Sequence, residues 1–203
     1  FIEMIHEQGQ QLMELVNDIL DFAKIQANKM DYFISQNNLI PILEQEIESL
    51  QSMADQDNIH IETKIEDAEL LCYFDSLRLK QIIANILSNA IKYNNPNGSV
   101  TITAEKREKE IAIFIEDTGK GISPDQVDQV FNEFETLGKV ANHQKGTGLG
   151  MPITKRLIEG MGGAIDLKSE VGVGSTFWIT IPTEKVLDEE HYRDREDSFD
   201  LIA

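Results

Sequence analysis

Apolar residues recur with a helical period over the first thirty positions. Two heptad series keep the a and d positions of a single long helix largely apolar: Ile5, Leu12 and Ile19, and Val16, Ala23 and Met30. Five more apolar residues widen this seam: Met13, Leu15, Leu20, Phe22 and Ile25. A seam of this width is typical of a helix in a bundle. The same pattern also allows an amphipathic helix that folds back on its own domain.

From Asp31 onward the pattern changes to shorter alternating segments. It predicts helices over 40–53, 76–93, 125–134 and 151–161, strands over 59–66, 70–75, 164–169 and 175–182, and a hairpin over 99–117. Asp75 is placed as the N-cap of the second of these helices. Helices mixed with mostly antiparallel strands predict an α+β fold. We expect a two-layer α/β sandwich with a mixed, mostly antiparallel sheet, preceded by one long bundle-type helix.

The predicted helix over 76–93 has two distinct faces. Its apolar face points to the core and contains Leu79, Ile82, Ile83, Ile86, Leu87, Ala90 and Ile91. Its polar stripe contains Arg78, Gln81, Asn85, Asn89 and Lys92. An asparagine oxygen is a hard, neutral ligand suited to magnesium, and a lysine one turn away could reach an anion beside the metal. The stripe thus suggests a magnesium–phosphate surface, with a solvated face as the alternative.

Three stretches rich in glycine follow: DTGKG at 117–121, GTGLG at 146–150 and GVGST at 172–176. Each is explained either by turn chemistry or by close approach of the backbone to a ligand. Asp117 ends a predicted strand, where a partly buried carboxylate needs a donor. The exocyclic amino group of adenine is one such donor, and a cap on the following turn is the equal alternative.

GTGLG precedes a predicted helix, so its amides and the positive end of the helix dipole could receive phosphate oxygens. A dinucleotide-binding fold is the rival explanation. It fails because the third glycine of its fingerprint would fall on Met151 and because no strand precedes the stretch. The GxxxxGK[ST] phosphate loop is absent as well, since no Lys-Ser or Lys-Thr follows these glycines.

Composition limits the partners of the chain. With 36 acidic against 18 basic side chains, its 203 residues carry a formal charge of −18, which argues against binding nucleic acid or an anionic membrane. The single Cys72 excludes an internal disulfide and fits a reducing, cytoplasmic compartment. No apolar run has the length of a membrane span. The chain starts at Phe1 inside a helical pattern, so we expect a cytoplasmic piece of a longer protein, with the cytoplasmic part of a membrane-anchored bacterial sensor as one form it could take.

Five segments together resemble a known family. NILSNAIKY, DTGKG, FNEF, GTGLG and GVGSTF are similar, in order and approximate spacing, to the N, G1, F, G2 and G3 boxes of sensor histidine kinases, members of the GHKL or Bergerat ATPase superfamily. Residues 32–184 resemble the catalytic ATP-binding domain of that family. Residues 1–31 resemble the second helix of its dimerisation and phosphotransfer hairpin, and 185–203 form an acidic tail. The F box lacks its usual proline, and Met151-Pro152-Ile153 replaces a frequent Leu-Ala-Ile.

The resemblance implies ATP and Mg²⁺ as cofactors. Asn89 would bind the metal, Asn85 would lie on the same ATP-facing stripe, and Lys92 would act with Asn85 in catalysis. The other implied nucleotide-binding residues are Tyr93 at the phosphates, Asp117 at the adenine amino group with Thr176 nearby, Gly119 and Gly121 against the purine, and Gly146, Thr147, Gly148, Leu149 and Gly150 over the phosphates. Residues 135–145 would be the ATP lid, whose start is anchored by Phe131 and Phe134, with Lys139 and Lys145 as lid cations.

The phosphoacceptor of the family is not found in this sequence. His6-Glu7 lacks the following basic residue, Ser/Thr and proline, and it lies on the wrong helix. His60, His143 and His191 have no acceptor context. The implied function is therefore the ATP-binding part of a protein-histidine kinase in two-component signal transduction, which donates the γ-phosphoryl group to a histidine upstream. Its implied partners are that upstream acceptor helix, a response regulator receiver domain and a second copy bound through 1–31.

Two other function classes remain open at this point. An ATP-hydrolysing clamp of the same superfamily would carry a glutamate four residues before the metal asparagine, where this chain has Asn85. Without that carboxylate, activation of water is disfavoured. The third class is an interaction module that responds to ATP and signals through contacts alone.

Overall fold

The computed structural model describes residues 2–135 and 147–185. The predictions for Lys139, His143, Lys145, Gly146 and nearly all of the acidic tail therefore lie outside the described residues. The elements are α1 (Ile2–Gln26), β1 (Ser35–Asn38), α2 (Ile40–Gln56), β2 (His60–Lys64), β3 (Leu71–Phe74), α3 (Ser76–Lys92), β4 (Ser99–Lys106), β5 (Glu110–Asp117), α4 (Pro124–Val127), α5 (Gly150–Gly160), β6 (Ala164–Glu170) and β7 (Gly174–Pro182).

Five of the strands form one mixed sheet in the order β2-β4-β5-β7-β6. Only β2 and β4 run parallel, and the other neighbours are antiparallel. The strands β1 and β3 form a separate antiparallel pair. Helices α2, α3 and α5 pack on the sheet, so the predicted α+β sandwich with a mostly antiparallel sheet is confirmed.

Helix α3 lies at the centre of the core. All seven residues predicted for its apolar face are buried, none with more than 4% of its surface exposed. They meet isoleucines at alternate positions of β5 and β7, as a period of two along a strand requires. The period of 3.6 residues in this segment thus predicted correctly which face of α3 packs on the sheet.

The structure differs from two sequence predictions. The predicted helix over 125–134 is only the four-residue α4, and turns follow it. Phe134 adopts a φ of 62° and donates its amide hydrogen to Gly148 O over 3.0 Å, so it cannot continue a helix. Strand β1 was not predicted because its sequence SQNN has no apolar alternation. It forms by pairing with β3.

Helix α1 uses two faces. Phe22 and Ile25 pack against the core, while Leu12, Val16 and Ile19 are 62%, 41% and 48% exposed. One side of the helix therefore folds back on the domain, while the exposed apolar residues Leu12, Val16 and Ile19 leave the bundle contact as a prediction. None of the helices in the described parts of the chain is long and apolar enough to cross a membrane.

Asp75 connects the segment after α1 to the start of α3. Its Oδ1 accepts from the amides of Leu77 (2.9 Å) and Arg78 (3.2 Å), as expected of an N-cap, and its Oδ2 accepts from Phe33 N (2.8 Å). The side chain is almost fully buried. One carboxylate thus satisfies three amides.

Replacing Asp75 tests this connection. Asp75→Ala should lower the free energy of unfolding by about 2–4 kcal/mol, since it removes a helix cap and leaves the Phe33 amide without an acceptor. Asp75→Asn keeps a capping oxygen and should lose roughly half as much. Urea titration measures both. Equal losses for the two variants would contradict the dual role.

Candidate functional site

The carboxylate of Asp117 lies at the end of β5 and is 7% exposed. Its Oδ1 accepts from Gly119 N (2.8 Å) and Ser175 N (3.3 Å). Burial raises the pKa of Asp117, and these two amides partly oppose that rise. No described residue donates to Oδ2. The turn-capping and ligand interpretations are thus compatible, because each uses a different oxygen.

Ser175, and not Thr176, is next to Asp117. On β7 the side chains of Phe177 and Ile179 alternate with those of Thr176 and Trp178, and Phe177 and Ile179 belong to the core. Thr176 therefore points to the opposite face of the sheet from Asp117. The structure does not bring the Thr176 side chain to the carboxylate, since the strand register pairs Asp117 with Ser175 and Glu116 with Thr176.

The turn that carries Gly119 packs directly on the end of α3. A Cβ at Gly119 would lie 2.5 Å from Tyr93 O and 2.6 Å from Asp117 Oδ1. The amide of Lys120 also donates to Tyr93 O over 3.2 Å. Gly121 has a φ of 68° and faces the carbonyl of Glu170 at a distance that no side chain allows. These glycines are thus required by contacts within the protein, whatever they contact in a ligand.

The polar stripe of α3 divides into two halves. At its N-terminal end, Arg78 and Gln81 contact Asp21 of α1, at 3.4 Å and 2.9 Å. Asn85 donates from Nδ2 to Thr154 Oγ1 of α5 over 2.7 Å. Three of the five stripe residues are thus engaged in helix packing.

The other half of the stripe is available to a ligand. Asn89 is half-buried, and its amide makes no hydrogen bond within the described part of the chain. Lys92 is exposed and forms no ion pair with a described residue. No group of three or more His, Cys, Asp or Glu side chains within 2–135 and 147–185 could hold a metal ion. These side chains fit a magnesium ion held by one amide oxygen, phosphates and water.

The GTGLG stretch is described from Thr147 onward. The Thr147 hydroxyl donates to Asp18 Oδ2 of α1 over 2.8 Å and accepts from Leu149 N over 3.2 Å. Gly148 has a φ of 71°, and a Cβ there would meet the backbone of Phe134 at 2.8 Å. Leu149 is 2% exposed and precedes α5 as its N-cap.

The two aromatic residues of FNEF lie beside α1 and α5. Phe134 meets Phe22 of α1 edge to face, with ring centroids 6.0 Å apart. The Nζ atom of Lys155 lies 5.2 Å from the ring centroid of Phe131. Phe131 and Phe22 also line a cavity of about 270 Å³ between the two helices. Among the described residues predicted to bind the nucleotide, Phe131 alone lines this cavity, so the candidate site lies elsewhere.

Helix α3 connects the two ends of the candidate nucleotide site. Asn85 lies beside Gly150 at one end, where a Cβ on the glycine would be 2.6 Å from Asn85 Oδ1. Tyr93 lies beside Gly119 and Asp117 at the other, about 12 Å along the helix. Asn89 and Lys92 lie between these ends on the same helix. The structure thus brings together most of the predicted residues that it describes.

Two residues of the site region were missed by sequence reasoning. Ser175 could have been found from the period of two along β7. Asn94, by contrast, gave no signal, because no periodic pattern marks an asparagine that links the end of a helix to a neighbouring turn. It is buried, donates from Nδ2 to Ala90 O and Ser99 O over 3.0 Å each, and accepts at Oδ1 from Asn95 N (2.9 Å) and the Thr118 hydroxyl (3.3 Å). It links the end of α3 to the Asp117 turn.

Comparison with known proteins agrees with this geometry. The family model described as histidine kinase-, DNA gyrase B-, and HSP90-like ATPase matches residues 74–185, more than half of the 203-residue chain. The chain belongs to this family. The resemblance predicted from the five segments is thereby confirmed.

Individual relatives extend the similarity to α1. The circadian input-output histidine kinase CikA of Synechococcus elongatus is 38% identical over 192 residues, which are 93% of this chain and 25% of CikA. Full-length ShkA, solved in complex with AMPPNP, matches with a TM-score of 0.77 at 30% identity, over 91% of this chain and 39% of ShkA. ThkA, solved with its response regulator TrrA, shares the fold with a TM-score of 0.71 at 22% identity, over 91% of this chain and 51% of ThkA. The chain thus spans about a quarter of the length of CikA.

The contact between Gly119 and α3 can be tested with two glycine variants. Gly119→Ala should lower the free energy of unfolding by about 1–3 kcal/mol, because its Cβ would overlap Tyr93 O and Asp117 Oδ1. Gly9→Ala is the control, since nothing lies within 4 Å of a Cβ at that helical position, and it should gain about 0.5–1 kcal/mol. Chemical denaturation compares the two. If Gly119→Ala is as stable as the wild type, the packing described for this turn is wrong.

The buried carboxylate predicts a pH dependence of stability. Because the pKa of Asp117 is raised above its usual 3.8 in the folded state, the folded state binds this proton more readily than the unfolded state does. Asp117 therefore reduces stability increasingly as pH rises from about 3.8 through the raised folded pKa. Asp117→Asn retains an acceptor for both amides, so it should be more stable than the wild type at pH 7.

The difference between Asp117→Asn and the wild type should shrink as pH falls toward 4. Urea titrations between pH 4 and 7 measure it, with the exposed Asp128→Asn as the control for removing one negative charge. A difference that stays constant over this range would show that burial of Asp117 is not its source.

Proposed function

We propose that this chain is the ATP-binding catalytic part of a sensor histidine kinase, which donates the γ-phosphoryl group of ATP to a histidine upstream. The observation that carries the proposal is the buried Asp117 carboxylate. Its Oδ1 is used by two amides, while Oδ2 has no donor among the described residues. Oδ2 is thus free to accept from the exocyclic amino group of adenine. Guanine presents a carbonyl oxygen at the equivalent position, so the carboxylate selects adenine.

The phosphate groups extend from this point along α3. Asn89 offers an amide oxygen for Mg²⁺, and Lys92 follows almost one turn later. The N-terminal turn of α5 begins at Gly150, where unpaired amides and the helix dipole favour anions. Bound Mg²⁺ supplies neutralisation of charge on the transferring phosphoryl group. The residues of this chain position the phosphates between α3 and α5.

Transfer to histidine, and not hydrolysis, follows from the chemistry around Asn85. As an asparagine, Asn85 has no carboxylate that could activate water. Its Nδ2 donates to Thr154 Oγ1. The relatives CikA and ShkA, one named as a histidine kinase and the other solved with AMPPNP, support ATP and histidine phosphorylation as the class of reaction. An ATP-hydrolysing clamp is therefore disfavoured.

The exposed seam of α1 supports a dimeric hairpin. Leu12, Val16 and Ile19 share one face at the spacing of a bundle contact. We assign 1–31 to the second hairpin helix, 32–184 to the catalytic domain and 185–203 to a tail. The upstream acceptor helix and a second copy would cover the seam. Because ThkA has been solved with the response regulator TrrA, we propose a receiver domain as the next phosphate acceptor.

Phosphate transfer to a separate acceptor hairpin tests the proposal. The chain is mixed with Mg-ATP with and without that hairpin, and acid-labile phosphate and free phosphate are followed. Label on the hairpin is the expected result. Rapid release of free phosphate would identify a hydrolase, and nucleotide binding with neither product would identify an interaction module. Label on this chain itself would contradict the absence of an acceptor.

Asn89→Ala tests the role of the metal site. It should slow transfer by at least about 100-fold, because the metal contributes several kcal/mol of charge stabilisation. Gln45→Ala removes an exposed amide from α2 and should leave the rate unchanged. The rate of hairpin labelling at saturating ATP measures both. Equal rates for the two variants would remove Asn89 from the site.

A further inference from the structure

A buried threonine contacts the amide of Asn85. Thr154 is 1% exposed, and its Oγ1 accepts from Asn85 Nδ2 over 2.7 Å. The Sδ atom of Met151 lies 3.6 Å from the same nitrogen. Both partners belong to α5, the helix that follows GTGLG. The sequence patterns did not point to Thr154.

These two contacts fix which way the amide points. A thioether has no hydrogen to donate and is a weak acceptor, so the NH₂ group is the favoured neighbour of Met151. The threonine hydroxyl then serves as the acceptor for that group. The carbonyl oxygen Oδ1 is consequently turned away from both and receives no hydrogen bond from a described residue.

Gly150 lies against the amide, and its lack of a side chain is what leaves room for that oxygen. A Cβ at this position would lie 2.6 Å from Asn85 Oδ1, so any larger residue would cover or displace it. Thr154 and Gly150, one turn apart on α5, thus both lie against the same amide. One holds the nitrogen, and the other leaves the oxygen accessible.

We propose that Thr154 is a positioning residue for phosphoryl transfer, which holds the Asn85 amide with its carbonyl oxygen toward the reacting groups. The proposal rests on the proposed function, since Asn85 then lies at the phosphate end of the site. An outward oxygen accepts a hydrogen bond from a metal-bound water or from the N–H of an acceptor imidazole, and an outward NH₂ group cannot. The hydroxyl therefore affects the rate of transfer more than the binding of ATP.

Two substitutions separate the hydroxyl from the volume of the side chain. Thr154→Val removes the hydroxyl at nearly constant size, and Thr154→Ser keeps it. We expect Thr154→Val to lower the kcat of transfer to the acceptor hairpin about tenfold, with the ATP dissociation constant within about twofold of the wild type. Thr154→Ser should restore the rate. The control Thr101→Val, in β4, should behave as the wild type.

The Asn85 side-chain NH₂ resonances give a readout that needs no nucleotide. In ¹⁵N correlation spectra they should be well dispersed in the wild type and in Thr154→Ser, and should collapse toward solvent-exposed values in Thr154→Val. If the valine variant does not fold, Thr154→Cys replaces it, because a thiol is a weaker acceptor, and intermediate resonances and rates are expected.

The outcomes distinguish the orientation of the Asn85 amide from its effect on the rate of transfer. Unchanged Asn85 resonances in Thr154→Val would overturn the geometry. Shifted resonances with an unchanged kcat, or an equal loss in Thr154→Ser, would reduce the contact to a structural one. A wild-type chain that never labels the hairpin would overturn the proposed phosphotransfer and with it the catalytic part of this inference, while the resonances still judge the orientation of the amide.

Discussion

The structure depends on the packing of α3, which is buried on one face and polar on another. Seven apolar residues hold the helix against the sheet, so its rotation about its own axis is fixed. That rotation directs Asn85 to α5 and leaves Asn89 and Lys92 on the same polar stripe, between Asn85 and the end of α3 that contacts the turn after β5. A helix with a weaker core face would leave the metal asparagine and the Asp117 carboxylate without a fixed relation. The hydrophobic contact therefore sets the geometry of the polar site.

Close backbone contacts connect the other parts of the site to α3. Gly119 lies against Tyr93 O, and Gly150 lies against the Asn85 amide. Both glycines leave no room for a side chain, so the turn after β5 and the start of α5 approach the helix more closely than other residues allow. On the proposed function, the adenine end and the phosphate end of the nucleotide are thus held at a spacing that α3 determines.

Sequence patterns predicted those features that depend on local periodicity. The faces of α3, the hairpin of β4 and β5, and α5 follow from periods of 3.6 and two. The patterns failed where a contact with a residue far away in the sequence determines the local structure. The predicted helix over 125–134 gives way after Val127 to turns closed by hydrogen bonds between residues three apart, and Phe134 pairs with Gly148. The resemblance implied Thr176 beside Asp117, whereas the strand register pairs Asp117 with Ser175. The contact of Asp21 with Arg78 and Gln81 joins residues more than fifty positions apart, which no pattern in a single sequence indicates.

The assignment of Asp117 to adenine is tested most directly by a calorimetric comparison of ATP and GTP binding to this chain in the presence of Mg²⁺. The two nucleotides share the triphosphate and ribose, so a difference in affinity reports the contact with Asp117 Oδ2. Because a site built around a hydrogen bond rejects a ligand that leaves its buried acceptor unpaired, ATP should bind at least about 100-fold more tightly than GTP. Equal affinity for the two nucleotides would contradict the assignment of Asp117 to adenine and the account of the site built on it.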